Sequence, residues 1–176
     1  YDIVNRNVDV MLHLGEYSKQ LFEKKYPKVN HILLPHHIYD NLYKQFPDRE
    51  TSCKHLNLNP TWRYILCVGA WRHEEERSLL LKVLRNLPHN TAVIAPSFFF
   101  KTGRRYSIRW IICQIKKRII YKKRLIAHLG QISDEDMPYY LAVSDVSLIQ
   151  RIRILHSGTL TLGMYAGNVI VGSDTG

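Results

Sequence analysis

Ser157-Gly158-Thr159 begins an apolar run that closes at Gly167, the pattern of a helix whose first turn presents bare backbone N–H groups. Such a start attracts anions, because the helix dipole favours negative charge there and Gly158, lacking a Cβ, lets a phosphate approach the backbone. The same residues also suit a plain helix start capped by the Ser157 hydroxyl. A second group is Gly69 with Arg72 three residues on, just after the apolar run Tyr64-Ile65-Leu66-Cys67-Val68. A guanidinium there can hold a diphosphate through two parallel donors, or lie on the surface beside Glu74 or Glu76. Arg151 and Arg153 follow the run Asp145 to Ile149 and are candidates for further phosphate contacts or for an ordinary solvated loop. Cations and N–H donors aimed at one point stabilise negative charge as it builds up on a leaving group.

Regular elements must hold these groups. Val8 to Leu14 alternates and ends at Gly15, a strand and turn, after which Ser18 can cap a helix to Tyr26. His31 to Pro35 is a second short strand, and His36 to Pro60 is polar and aromatic with a weak helix over 50–56, a connection between domains. Strands follow at 64–68, 91–95, 125–130, 145–149 and 169–172, with helices at 74–87, 133–143 and 157–165 between them. The continuous apolar strands are those of a sheet covered on both faces. Alternation of this kind gives an α/β fold, a doubly wound parallel sheet with ligands outside the carboxyl ends of its strands. The loops after Val68, Ala95, Leu129 and Ile149 are therefore where a ligand is expected.

The chain has 176 residues, 45% of them hydrophobic, enough for one core and tight for two. It opens at Tyr1 with no signal peptide and stops just after a strand and turn, which reads as a fragment of a longer protein. Cys53, Cys67 and Cys113 are widely spaced and read as reduced thiols of a cytoplasmic protein, with Cys67 in the core. The pair His36-His37 has no Asp, Glu or Cys at ligand spacing and reads as linker rather than metal site. Net charge is +10, and between Arg77 and Ser133 there are thirteen Lys and Arg and no acid. That asymmetry points to an acidic partner: phosphate, lipid headgroup or nucleic acid.

Five segments resemble, in order, the group 1 glycosyltransferases, whose GT-B fold pairs two Rossmann-like domains around a cleft. VDVMLHLGEYSKQLF (8–22) resembles the last strand-helix unit of the acceptor domain, and HILLPHHIYDNLY (31–43) the crossing into the donor domain. YILCVGAWR (64–72) resembles the first donor-domain strand with its Gly and Arg. LIAHLGQISDEDMPYYLAVSDVSLI (125–149) and HSGTLTLGMYAGNVIVGSDTG (156–176) resemble the nucleobase turn with its acidic helix, and the phosphate-binding helix.

The resemblance implies residues 1–37 as the end of an acceptor domain, 38–60 as linker and 61–176 as a nucleotide-sugar-binding domain. It implies a transferase moving sugar from a UDP- or GDP-linked donor to a glycan or lipid-linked acceptor in surface polysaccharide or glycolipid assembly. Gly69, Arg72, Ser157, Gly158 and Thr159 would bind the donor diphosphate, and Gln131 and Ile132 the nucleobase, with neither cofactor nor metal. The pattern is incomplete, and no catalytic residue is identified. Where many retaining members carry Glu-x7-Glu, this chain has Ile154 and Leu162, and Glu75 replaces a frequent phosphate-binding Lys. A catalytically inactive module that binds a nucleotide sugar or a protein partner is the alternative these losses support.

The basic segment Lys101 to Arg124 places Ile108, Ile111, Ile112, Ile115 and Ile119 on one helical face, with Trp110 beside it. That is the pattern of a helix lying on an anionic membrane surface, here the inner face, or of a core helix with a solvated basic side. A nucleic-acid-binding domain ranks last, because no known motif or aromatic stacking platform accompanies the charge.

Overall fold

The computed structural model describes residues 2–36, 39–98, 108, 111, 112, 115, 124–127, 131–152 and 157–174. A short helix α1 (Asp2–Asn7) precedes β1 (Val10–His13), α2 (Glu16–Lys25) and β2 (Asn30–Leu33). A 3-10 turn (Tyr39–Asn41) and α3 (Arg49–His55) lead into β3 (Arg63–Leu66), α4 (Glu74–Asn86) and β4 (Thr91–Ile94). Then come β5 (Leu125–Ile126), α5 (Met137–Val143), β6 (Val146–Leu148), α6 (Gly158–Tyr165) and β7 (Val169–Val171). β1 and β2 pair with each other, and the remaining strands form a five-stranded sheet in the order β5-β4-β3-β6-β7. Every pairing is parallel.

Alternation along the central strands sends side chains to two cores. Tyr64, Leu66, Ala92 and Ile94 pack on one face with Cys53 of α3, Leu141 and Val143 of α5 and Leu162 of α6. Cys67, Val93 and Ala95 point the other way, against Leu80 and Leu84 of α4 and against Trp71, Phe98 and Leu148. Both faces are thus covered, which is why these strands are apolar throughout rather than alternating. Cys53 and Cys67 are free thiols within these cores, and burial pushes both thiol pKa values up.

The polar stretch read as a connection is partly built into the larger core. Tyr43 is buried there, and the Tyr165 hydroxyl donates to its carbonyl at 2.7 Å. α3 is capped by Asp48, whose carboxylate accepts from the Thr51 N–H at 2.8 Å. It lies against α5, with His55 stacked on Tyr139 at 3.9 Å and 2.8 Å from the Asp136 carboxylate. Arg49 closes the entry ends of the strands. Its guanidinium donates to the carbonyls of Val143 (2.8 Å) and Trp62 (2.6 Å) and lies 3.3 Å from Asp145, which itself accepts from the Tyr64 N–H at 2.8 Å.

Two local expectations are corrected. Ser18 does not cap α2: Gly15 stands at the N-cap, and the buried Ser18 hydroxyl donates back to the Gly15 carbonyl at 3.0 Å. The helix expected from Ser133 starts at Met137, after a turn in which the Asp136 N–H donates to the Ser133 hydroxyl at 3.1 Å. His37, Trp110, Cys113, Ile119, Gly130, Arg153 and Ile154 lie outside the described residues.

Candidate functional site

Strand order reverses between β3 and β6, so the crevice of a doubly wound sheet falls at their carboxyl ends. A cavity of about 270 Å³ opens beside that point. Val68, Gly69 and Ala70 line it after β3, Pro96 and Ser97 after β4, Gln131 and Ile132 between β5 and α5, and Met137 at the start of α5. Gly69, Gln131 and Ile132 therefore share one cavity although they are far apart in sequence. Gly69 has φ +119, a conformation that side chains rarely tolerate. The volume lies just under the ~300 Å³ lower end of ligand pockets, room for one ring system of a larger ligand.

The loop that carries Arg72 is braced from behind. Trp71 is buried, with its indole N–H donating to the Pro96 carbonyl at 3.3 Å and its ring edge-on to Phe98. Glu76, 2% exposed, accepts from the backbone N–H groups of Arg72 (2.8 Å) and His73 (3.3 Å). Arg77, also buried, donates to the Trp71 carbonyl at 2.9 Å and lies 3.6 Å from Glu74. The two carboxylates that the sequence offers as partners for Arg72 thus serve other groups. The Arg72 residue itself is exposed, next to the cavity lining but not part of it.

At the start of α6, Ser157 takes the N-cap position with no side-chain capping hydrogen bond. Thr159 follows half-buried in the first turn. The open side of Gly158 faces the chain itself: a Cβ there would lie 2.7 Å from the Tyr39 hydroxyl and 3.2 Å from His36 Nε2. Thr161 donates to the Gly158 carbonyl at 3.0 Å and stands 3.4 Å from His36 Nδ1, so His36 meets the first turn of α6.

Between these parts lies the loop after β6. Gln150 is 2% exposed, and its Nε2 has no hydrogen-bond partner among the described residues and would sit 3.5 Å from a Cβ on Gly69. Arg151 is half-buried, its carbonyl accepting from the Ser173 hydroxyl at 2.9 Å. A second cleft, about 200 Å³, is lined by His73, Glu74, Glu75, Glu76 and Ile152. Glu75, where the resemblance implies a lysine, therefore lines an acidic cleft. Leu162, at the place of a family carboxylate, is buried in the first core. Among the described residues no three His, Cys, Asp or Glu side chains converge as metal ligands.

Sequence reasoning points to the loop after β4 without giving Pro96 or Ser97 a role in the site, offers Glu76 only as a surface neighbour of Arg72, and does not single out Gln150 or Tyr39. The sequence sets Glu76 on the surface, and only packing shows that it turns inward. Tyr39 lies far from Gly158 in sequence, so no spacing links them.

No protein-family model matches the sequence, and no curated protein matches it. Among solved structures, sucrose-phosphate synthase from Thermosynechococcus elongatus superposes with TM-score 0.71 at 16% identity, over 98% of this chain and 42% of that one. HepE from Anabaena, solved in complex with UDP-glucose, gives TM-score 0.76 at 14% identity, over 99% of this chain and 47% of that one. WaaG, a glycosyltransferase involved in lipopolysaccharide biosynthesis, gives 0.64 at 18% identity, over 92% and 43%. The chain has the fold of these GT-B glycosyltransferases and spans less than half the length of each.

Proposed function

We propose that this chain is the donor-binding half of a glycosyltransferase that takes sugar from a UDP- or GDP-linked donor. Residues 61–176 would hold the donor, 38–60 the crossing, and 1–37 the end of the acceptor domain. The acceptor is a glycan or lipid-linked acceptor, and the protein works in the cytoplasm at the inner face of a membrane. The observation that carries the reading is the cavity that joins Gly69 to Gln131 and Ile132 at the carboxyl ends of the strands.

In this reading the nucleobase enters that cavity between Ile132, Met137 and Val68, and backbone groups of the turn at Gln131 meet its polar edge. The diphosphate extends towards the start of α6, where the amides of Ser157, Gly158 and Thr159 and the guanidinium of Arg72 stabilise charge on the departing nucleoside diphosphate. Arg151 and Arg153 follow β6 and supply positive charge in place of the absent lysine. A nucleoside diphosphate should then raise the melting temperature, and the monophosphate should do so less. At a hundredfold excess over Kd the gain is ~2.7 kcal/mol. UDP, GDP, ADP and CDP all failing to shift a folded sample would refute the reading.

Leu162 favours a second reading, a module that binds a nucleotide sugar without transferring it, because no carboxylate occupies that core position. Donor-induced stabilisation without sugar release in the full-length protein would select it.

A further inference from the structure

We propose that Ile108, Ile111, Ile112 and Ile115 form a docking surface for an anionic lipid bilayer. All four are helical and spaced to fall on one stripe, yet they are 77%, 46%, 45% and 51% exposed. A helix that turned such a stripe to the sheet would bury it, as α4 buries Leu80 and Leu84 to 0% and 2%. The core-helix alternative therefore does not hold for these four side chains.

Charge selects the partner. Residues 101–123 carry nine Lys and Arg and no acid, on both sides of the isoleucines in sequence. An acidic protein would meet such a segment at a few fixed ion pairs. An anionic leaflet supplies a continuous field that every cation near its surface feels, together with an apolar layer for the isoleucines. Nine cations within 101–123 are too many for a segment that crosses the apolar layer, so the surface lies on the bilayer.

Its place in the fold gives the contact a purpose. The isoleucines belong to the crossover between β4 and β5, at the edge of the sheet, and Ser97 before it and Gln131 after it both line the candidate donor cavity. Docking would set that cavity close to a lipid-linked acceptor. The surface itself does not rest on the donor-site reading.

The test is co-sedimentation of the full chain with vesicles of phosphatidylglycerol and phosphatidylcholine, beside pure phosphatidylcholine. The parent should bind only the anionic vesicles, and I111S/I115S should bind at least about tenfold more weakly with an unchanged melt. A parent that does not bind the anionic vesicles, or a double variant that still binds fully, overturns the proposal. So does a double variant that unfolds, since exposed side chains are not needed by the fold. Ile108→Trp supplies an independent signal: its fluorescence should shift to the blue on anionic vesicles and be quenched by brominated lipid, and no change rejects insertion. Salt-sensitive binding to DNA or RNA in place of vesicles, indifferent to I111S/I115S, also overturns it. Nucleotide-induced stabilisation measured on the same variant reports separately on the donor site.

Discussion

Gly158 and Tyr39 meet so closely that a Cβ on the glycine would lie 2.7 Å from the tyrosine hydroxyl, so any side chain there must displace the tip of Tyr39. The glycine is thus favoured by the chain's own packing, before any ligand arrives. Gly158→Ala should cost about 1 kcal/mol, the low end for overpacking, because the tip of Tyr39 can move. Tyr39→Phe in the same chain should recover most of that, and urea unfolding of the double-mutant cycle measures the coupling. Additive effects would mean that the contact carries no energy.

Arg72 is the cleaner probe of ligand binding. It is exposed, Glu74 pairs with Arg77, and Glu76 holds only the backbone of Arg72, so Arg72→Ala should leave the melt unchanged. Affinity for UDP or GDP should fall by ~1.5–3 kcal/mol, the scale of a hydrogen bond to a charged group. Titration calorimetry decides, and an unchanged Kd places the diphosphate elsewhere.

Glu76 should act on both stability and binding. Its buried carboxylate holds the backbone of Arg72 and His73, so Glu76→Ala should cost about 1–3 kcal/mol of stability. Nucleotide affinity should drop as well, although Glu76 approaches no phosphate in this reading. Loss of stability with affinity intact would show that the loop does not present Arg72 to the ligand.

Alkaline pH should unfold the protein. Burial, the largest cause in each case, raises the phenol pKa of Tyr43, Tyr64 and Tyr140 above the usual 10.0. The unfolded chain therefore loses these protons first. Stability is fully present below pH ~10 and falls as pH rises through the folded values. Tyr64→Phe should flatten that fall, and denaturant midpoints measured across this range test it.

How much was legible follows from what each signal depends on. The strands 64–68, 91–95 and 145–149 announced themselves because a sheet covered on both faces needs unbroken apolar runs, and Gly167 ends α6 at φ +78 as its position suggested. The shared cavity of Gly69 and Gln131 was half legible, since topology identifies the strand ends but not which loops close a pocket. The inward turn of Glu76 and the contact of Tyr39 with Gly158 are tertiary facts, set by packing between segments that no local pattern connects. The isoleucine stripe was visible as a stripe, but only its exposure says that the sheet does not cover it.

The Arg49–Asp145 tie sits where β3 and β6 enter the sheet, while Gly69, Gln150 and the start of α6 all lie where the strands leave it. The molecule thus has a structural pole and a chemical pole separated by the length of the strands. Substitutions at exit-loop residues outside the cores, such as Arg72, Gln131 and Ile132, leave the clamp and both cores untouched. Those loop residues can therefore diverge among descendants of this chain while the scaffold is inherited whole.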